Sequence, residues 1–288
     1  MRWDIPIFLA AFWLAAGPVS AQSSRIEFDA SPAPIVAARI NGRDVRLEVD
    51  LRLPDVLVLN PAAAERLNVR RVPLLAVGVG VDDGATLRGR LARPRIVFAS
   101  GEAHPLTGIF PAPASERADG LIGPGVLPHD EIVIRLGPER AGEREIAFAL
   151  READDWVGAS RGGDLDLRVR FDVAHPASVF NRTAARALDA SGAIVSAGDL
   201  VSTHVLLGLT TQMQPVTTSL TIEGLALGTA RARTNAPLLG ADDPDALVVT
   251  AETESAEPPG VQLGREALAS CSSITVTRAT RRLVLRCM

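Results

Sequence analysis

Two widely separated stretches of this chain follow one plan, and that repetition restricts the fold more than any other feature. The first is Val45-Arg-Leu-Glu-Val-Asp50-Leu-Arg-Leu-Pro54-Asp-Val-Leu-Val-Leu-Asn60, continuing as Pro61-Ala-Ala-Ala-Glu-Arg-Leu67. The second is Leu167-Arg-Val-Arg-Phe171-Asp172-Val-Ala-His-Pro176-Ala-Ser-Val-Phe180-Asn181, continuing as Arg-Thr-Ala-Ala-Arg-Ala-Leu188. Alternating apolar and charged residues give a half-buried strand in each. An acid closes that strand, a proline follows four residues later, and a short apolar strand comes next. An asparagine then stands at the N-cap position of an alanine-rich helix. In the first copy Pro61 takes the first helical position, where its missing N–H costs nothing.

The repetition extends beyond these stretches. Leu121-Ile122-Gly123 and Gln262-Leu263-Gly264 each end a short run in glycine and lead to a leucine four residues on. Strands are expected at 25–29 and 35–40, with Asn41-Gly42 as a hairpin turn. A hairpin is expected over 74–91, turning at Asp82-Asp83-Gly84, and further strands at 95–98 and 105–110. Runs 131–136 and 145–150 read as a closing antiparallel pair. Residues 151–163 are polar and glycine-containing and read as a linker. Beyond them strands are expected at 166–171, 205–209, 217–222 and 246–251. Many short strands and few helices mean a mostly β protein. The repeat is too long for a solenoid and describes two similar lobes, 22–150 and 164–288.

The chain begins with a basic residue, an apolar run over 5–16 and the small residues Val19-Ser20-Ala21. This is the pattern of a secretory signal peptide cleaved after Ala21. The run falls short of the ~20 residues that cross a membrane comfortably, so no membrane span is expected after cleavage. The destination is the periplasm or the extracellular space. Every basic residue is arginine, a bias of GC-rich bacterial coding. Net charge is −4, which offers no basic field to nucleic acid. The two cysteines, Cys271 and Cys287, flank what reads as a final hairpin turning at 278–281, and an oxidising compartment lets them bond.

These residues resemble the aspartic peptidase fold, pepsin-like in having two lobes and retropepsin-like within each half. The resemblance spans the mature chain and implies a two-lobed acid-protease-like β-barrel fold whose lobes arose by internal duplication. In that family each lobe supplies one Asp-Thr/Ser-Gly turn, and Asp50 and Asp172 stand at the catalytic positions. The glycines Gly123 and Gly264 match the family's later element, beside the acid turns, and are expected to line the cleft. Two adjacent carboxylates share a proton; the ionised one activates water and the protonated one polarises the scissile carbonyl. The resemblance implies no cofactor and no metal. Its partner is a peptide or protein segment lying in the cleft between lobes, under the hairpin at Asp82, Asp83 and Gly84.

The acid turns depart from the family at four positions. Leu51-Arg52 and Val173-Ala174 replace both hydroxyl residues and both glycines. Leu51 and Val173 cannot form the hydroxyl bonds that tie the family's turns together. Arg52 places a cation near the first acid, which favours the charged carboxylate and opposes proton sharing. No tyrosine exists to serve on a flap. Leu51, Arg52, Val173 and Ala174 are thus expected to line a cleft that binds without standard proteolysis. The competing expectations are an active endopeptidase using Asp50 and Asp172, and a structural envelope domain with a filled cleft.

Other motifs carry less. Gly158-Ala-Ser160-Arg-Gly162 has the spacing of a nucleophile elbow but lacks its strand and helix context. Gly78-Val-Gly80 precedes no helix. The four histidines show no metal-ligating spacing; His175, three residues past Asp172, reads as a turn residue, with a place near the cleft as the alternative. Acidic runs at 242–245 and 252–257 read as exposed loops without calcium-loop spacing.

Overall fold

The computed structural model describes residues 24–31, 33–53, 55–81, 85–150, 158–162, 164–205, 207, 209–233, 248–249 and 258–288. The expected signal segment, the expected turn at Asp82, Asp83 and Gly84, and 151–157 of the expected linker lie outside these. The described chain is mostly β, as the strand-length periodicities require. None of its helices is long and apolar enough to cross a membrane.

The first half opens with β1 (Arg25–Asp29), β2 (Ile35–Ile40) and β3 (Arg43–Val49), the last two joined at Asn41-Gly42. Both turn residues take positive φ, 51° and 75°, which asparagine and glycine accept at little steric cost. β4 (Val56–Leu59) leads into α1 (Pro61–Arg66). A long hairpin follows, β5 (Arg71–Val81) with β6 (Ala85–Ala92), then β7 (Ile96–Phe98), β8 (Gly101–Ala103), β9 (Leu106–Ile109) and β10 (Gly120–Ile122). A single 3-10 turn over Pro124–Val126 precedes β11 (Glu131–Arg135) and β12 (Arg144–Ala149).

The second half begins with β13 (Gly158–Gly162) and β14 (Leu165–Phe171), paired antiparallel. The C-terminal end of the expected linker is therefore a sheet strand. Next come β15 (Ser178–Phe180), α2 (Arg182–Ala190), β16 (Ile194–Ser196), β17 (Val201–His204) and β18 (Thr210–Thr218). Of the strand expected over 205–209, the described residues 205, 207 and 209 lie outside any strand, between β17 and β18. The one expected over 217–222 splits between the end of β18 and β19 (Thr221–Ile222), which pairs with β20 (Leu225–Ala226). β21 (Thr229–Arg233), β22 (Val248–Val249) and β23 (Gly260–Leu263) precede the final hairpin of β24 (Cys271–Thr277) and β25 (Arg282–Cys287). Cys271 faces Cys287 there and the two form a disulfide.

Strand pairing explains how the acids are placed. β3 runs parallel to β10, and β10 runs antiparallel to β4. The same relation links β14, β23 and β15 around the second acid. β4 pairs with β9 and β15 with β21, both parallel; β6 and β18 then add antiparallel to those strands. The first half's acid turn thus sits on a ten-stranded sheet, to which β22 from the second half adds beside β5, and the second half's on an eight-stranded sheet.

The expected closing pair of the first half does not form. β11 and β12 share a five-stranded sheet ordered β1-β11-β24-β25-β12, with the C-terminal hairpin inserted between them. Local alternation identified both strands correctly but carries no information about a partner from the far end of the chain. This sheet ties the halves together. Its inner face continues one apolar cluster from Leu47 and Ile122 through Ile132, Ile274 and Leu285 to Phe171 and Leu263.

Two asparagines fix the approach to the acid-turn strands. Asn181 caps α2 by accepting from Ala184 N–H, and also accepts from Gly260 N–H and donates to Pro258 O. Asn60 stands at the N-cap position of α1 without a side-chain cap. Its amide instead donates to Ser115 and Ala118 carbonyls and accepts from the Ala114 and Ser115 N–H groups. Both side chains clamp the segment leading into β10 or β23.

Candidate functional site

Asp50 and Asp172 directly follow β3 and β14, and their backbone N–H groups donate to Ile122 O and Leu263 O of the neighbouring strands. Each then folds its carboxylate back onto its own turn. Asp50 Oδ1 accepts from Arg52 N–H at 2.8 Å, and Asp172 Oδ1 from Ala174 N–H at 2.9 Å. This is the Asx-type turn that aspartate favours. Neither Arg52 nor Ala174 has a positive φ. The backbone therefore tolerates a side chain where the family pattern has glycine.

The two acids meet through Arg52. Its Nη2 donates to Asp50 Oδ2 at 2.6 Å and its Nε to Oδ1 at 2.9 Å, a forked pairing. Its Nη1 lies 3.0 Å from Asp172 Oδ2 and donates to the Val205 carbonyl at 3.3 Å. Three more groups converge on Asp172. His175 Nδ1 stands 2.6 Å from Oδ2 and, with its proton there, donates to it. Gln262 Nε2 donates to the same oxygen at 2.6 Å, and His175 N–H to Oδ1 at 3.2 Å. The Asp172 side chain is 1% exposed, that of Asp50 8% and that of Arg52 16%. Burial at this level makes the pairing obligatory, because an unpaired buried charge is costly.

Burial is the largest influence on Asp172 and opposes its ionisation. The His175 hydrogen bond, the Arg52 charge, the His175 charge and the Ala174 N–H together outweigh it, so its pKa is lowered. Burial likewise opposes the Arg52 charge. Attraction and hydrogen bonding to Asp50, then the charges of Asp172 and Glu48, outweigh it and raise the Arg52 pKa. Arg52 is therefore a permanent cation between the acids, and Asp172 is an anion at neutral pH. A carboxylate whose folded-state pKa is depressed stabilises the fold fully above its unfolded value of about 3.9. That contribution disappears as pH falls through the lower folded value. Urea midpoints for wild type and Asp172→Asn across this range are expected to differ most above about pH 5 and to converge in stronger acid.

The acids open on a cleft of about 490 Å³. Leu51, Arg52, Val173 and Ala174 line it as expected, with Ala114, Ser115 and Val205 among the other walls. Leu51 and Val173 are buried in the main apolar cluster, where the family pattern has hydroxyls. The polar tie across the cleft is instead made by Arg52. Gly123 and Gly264, expected to line the cleft, are buried and not among its lining residues. A Cβ on Gly264 would stand 2.4 Å from the Ala177 backbone, so this glycine permits the close passage of two chain segments. At one side Ser115 donates to Glu48 at 2.6 Å, with Arg117 3.7 Å away. The described residues contain no cluster of three or more His, Cys, Asp or Glu side chains suited to a metal.

Sequence reasoning missed two site residues. His175 reads as a turn residue in the sequence, although its spacing of three from Asp172 also allows a place near the cleft. Gln262 stood out solely as a polar residue in an otherwise apolar position. Its side chain supplies a hydrogen bond to a buried carboxylate, which accounts for that polarity. Comparison of the chain with models of known families gives no match, and comparison with curated proteins gives none either.

Proposed function

We propose that this chain is an exported, aspartic-peptidase-like protein of two duplicated lobes that binds a peptide or protein segment in its cleft without cleaving it. The observation that carries this reading is Arg52, held between Asp50 and Asp172. Aspartic catalysis needs one protonated and one ionised carboxylate facing a common water. A buried guanidinium bonded to both favours two anions instead and fills the space between them. The recurring pairing of β3-β10-β4 and β14-β23-β15 supports the two-lobed reading. The open cleft supports binding over a filled structural core. Its lining includes Glu48, Asp50, Glu116 and Asp172 against Arg52 and Arg117, a net acidic surface that suits a basic segment.

The test is selection of an unbiased peptide library on the mature protein. Binders enriched in arginine or lysine, recovered intact and weakened at least tenfold by Ser115→Trp in the cleft wall, are the expected result. Failure to enrich any sequence, with the protein folded by circular dichroism, would sink the binding reading.

A further inference from the structure

Two strands of the second half alternate arginine with buried apolar residues. In β14, Arg168 and Arg170 alternate with Val169 and Phe171; in β21, Arg231 and Arg233 alternate with Ala230 and Ala232. Successive side chains of a strand point to opposite faces. The apolar residues join the main core, so all four arginines share the other face of the sheet. Only β23 and β15 separate the two strands. Register puts the intervening residues on the arginine face: Arg168 stands beside Gly260, Arg170 beside Gln262, Gln262 beside Val179, and Val179 beside Arg231. Arg231 is tied down there, donating from Nη1 to Thr203 Oγ1 at 2.8 Å.

The other three arginines line a pocket of about 50 Å³, together with Asn181, Gly260 and Gln262. A water needs about 10–15 Å³ of such space, so the pocket admits a group of a few heavy atoms. Arg168 and Arg170 flank it from β14 and Arg233 from β21. None of the described residues lining it is acidic. Arg168 Nε is buried without a hydrogen-bond partner. A donor left in that state is costly, and a bound acceptor removes the cost. Gly260 keeps the floor low, since a Cβ there would stand 3.2 Å from Asn181 Nδ2. Gln262 Nε2 already donates to Asp172, so the arginines supply the attraction. The whole chain carries a charge of −4, so no general positive field would draw an anion to this face.

We infer that this pocket is a binding site for a phosphate group. It shares no lining residue with the acid cleft, so the inference stands apart from the peptide-binding reading. Each guanidinium presents a planar fork to a pair of oxygens. Forks arriving from two flanks suit a tetrahedral group, which offers oxygens in several directions. A planar carboxylate is taken up by a single fork. The volume holds the phosphate itself and leaves any organic remainder outside. Inorganic phosphate and a small phosphate monoester therefore present the same chemistry to the three arginines.

Calorimetric titration with inorganic phosphate, at an ionic strength held constant with chloride, tests this. One saturable site is expected in the wild type, weakened about tenfold or more by Arg168→Gln, as loss of hydrogen bonds to a charged group requires. Arg39→Gln makes the same charge change at an exposed arginine of β2 and is expected to leave the affinity within about twofold. Arg168→Lys keeps the charge but not the fork and is expected to fall between wild type and Arg168→Gln. Should Arg168→Gln fail to fold, Arg233→Gln removes a guanidinium from the opposite flank and is expected to weaken phosphate likewise. Acetate is expected to bind at least tenfold more weakly than phosphate. Glycerol 3-phosphate separates the two sources: equal or weaker binding assigns the site to free phosphate, and tighter binding assigns it to a monoester. Absence of a saturable phosphate site, acetate binding as tight as phosphate, or equal losses in Arg168→Gln and Arg39→Gln would overturn the inference.

Discussion

Arg52→Leu is expected to cost the fold about 3–5 kcal/mol near neutral pH, the range found when one partner of a buried ion pair is removed. The cost arises because Asp50 and Asp172 stay behind as buried anions, 8% and 1% exposed at the side chain. For a chain of this size such a loss lowers Tm by roughly 6–20 °C. The pH dependence separates this origin from simple loss of packing. Acid lets a carboxylate take the proton that the guanidinium had made unnecessary, so the gap between wild type and variant is expected to shrink towards about pH 3. Arg52→Lys keeps the charge but not the fork that spans two carboxylates. It is expected to fall between the two proteins. Thermal unfolding of the three across pH gives the result directly; a pH-independent gap would contradict an electrostatic cause.

Phe171→Ala is expected to be comparably damaging, about 3–5 kcal/mol, the usual range for emptying a fully buried aromatic site. Phe171 ends β14 and immediately precedes Asp172. Its ring meets Phe148 of β12 edge-on, centroids 5.2 Å apart and planes at 73°. The pair therefore joins the second half's acid strand to the five-stranded sheet that binds the halves together. Removing it loosens the strand that aims Asp172, so faster amide exchange is expected at 172–175 as well as a lower urea midpoint. Phe148→Ala should not add fully to Phe171→Ala, because the edge-on contact itself contributes about 0.5–1.5 kcal/mol. Full additivity would show that the two rings act independently.

The parts of this structure legible in the sequence are those set by local chemistry. The Asn41-Gly42 hairpin, Asn181 as the cap of α2, the hairpin of 74–91 and the cysteine pair all follow from neighbours in the chain. Arg52 is also local: two residues from Asp50, it had to lie near that carboxylate. Its reach to Asp172 was not legible, because that contact depends on how the halves face each other. Gln262 reaches Asp172 through the pairing of β14 with β23, and β11 is parted from β12 by a hairpin from the far end of the chain, so neither is legible in local pattern. A spacing of three alone leaves the His175 contact open. Asn60 is the instructive case. It stands at the start of α1 as the helix-start pattern predicts, yet its side chain serves the 114–118 segment, and no helix-start pattern contains that partner.

Cleavage of a diverse peptide library by the protein, followed from acid to neutral pH, tests the claim about Arg52 most directly. Asp50→Asn and Asp172→Asn serve as paired controls. Wild type is expected to yield no products beyond those of the two controls at any pH. Cleavage by wild type that both substitutions abolish would contradict the assignment of a binding cleft and restore the two acids as a working dyad.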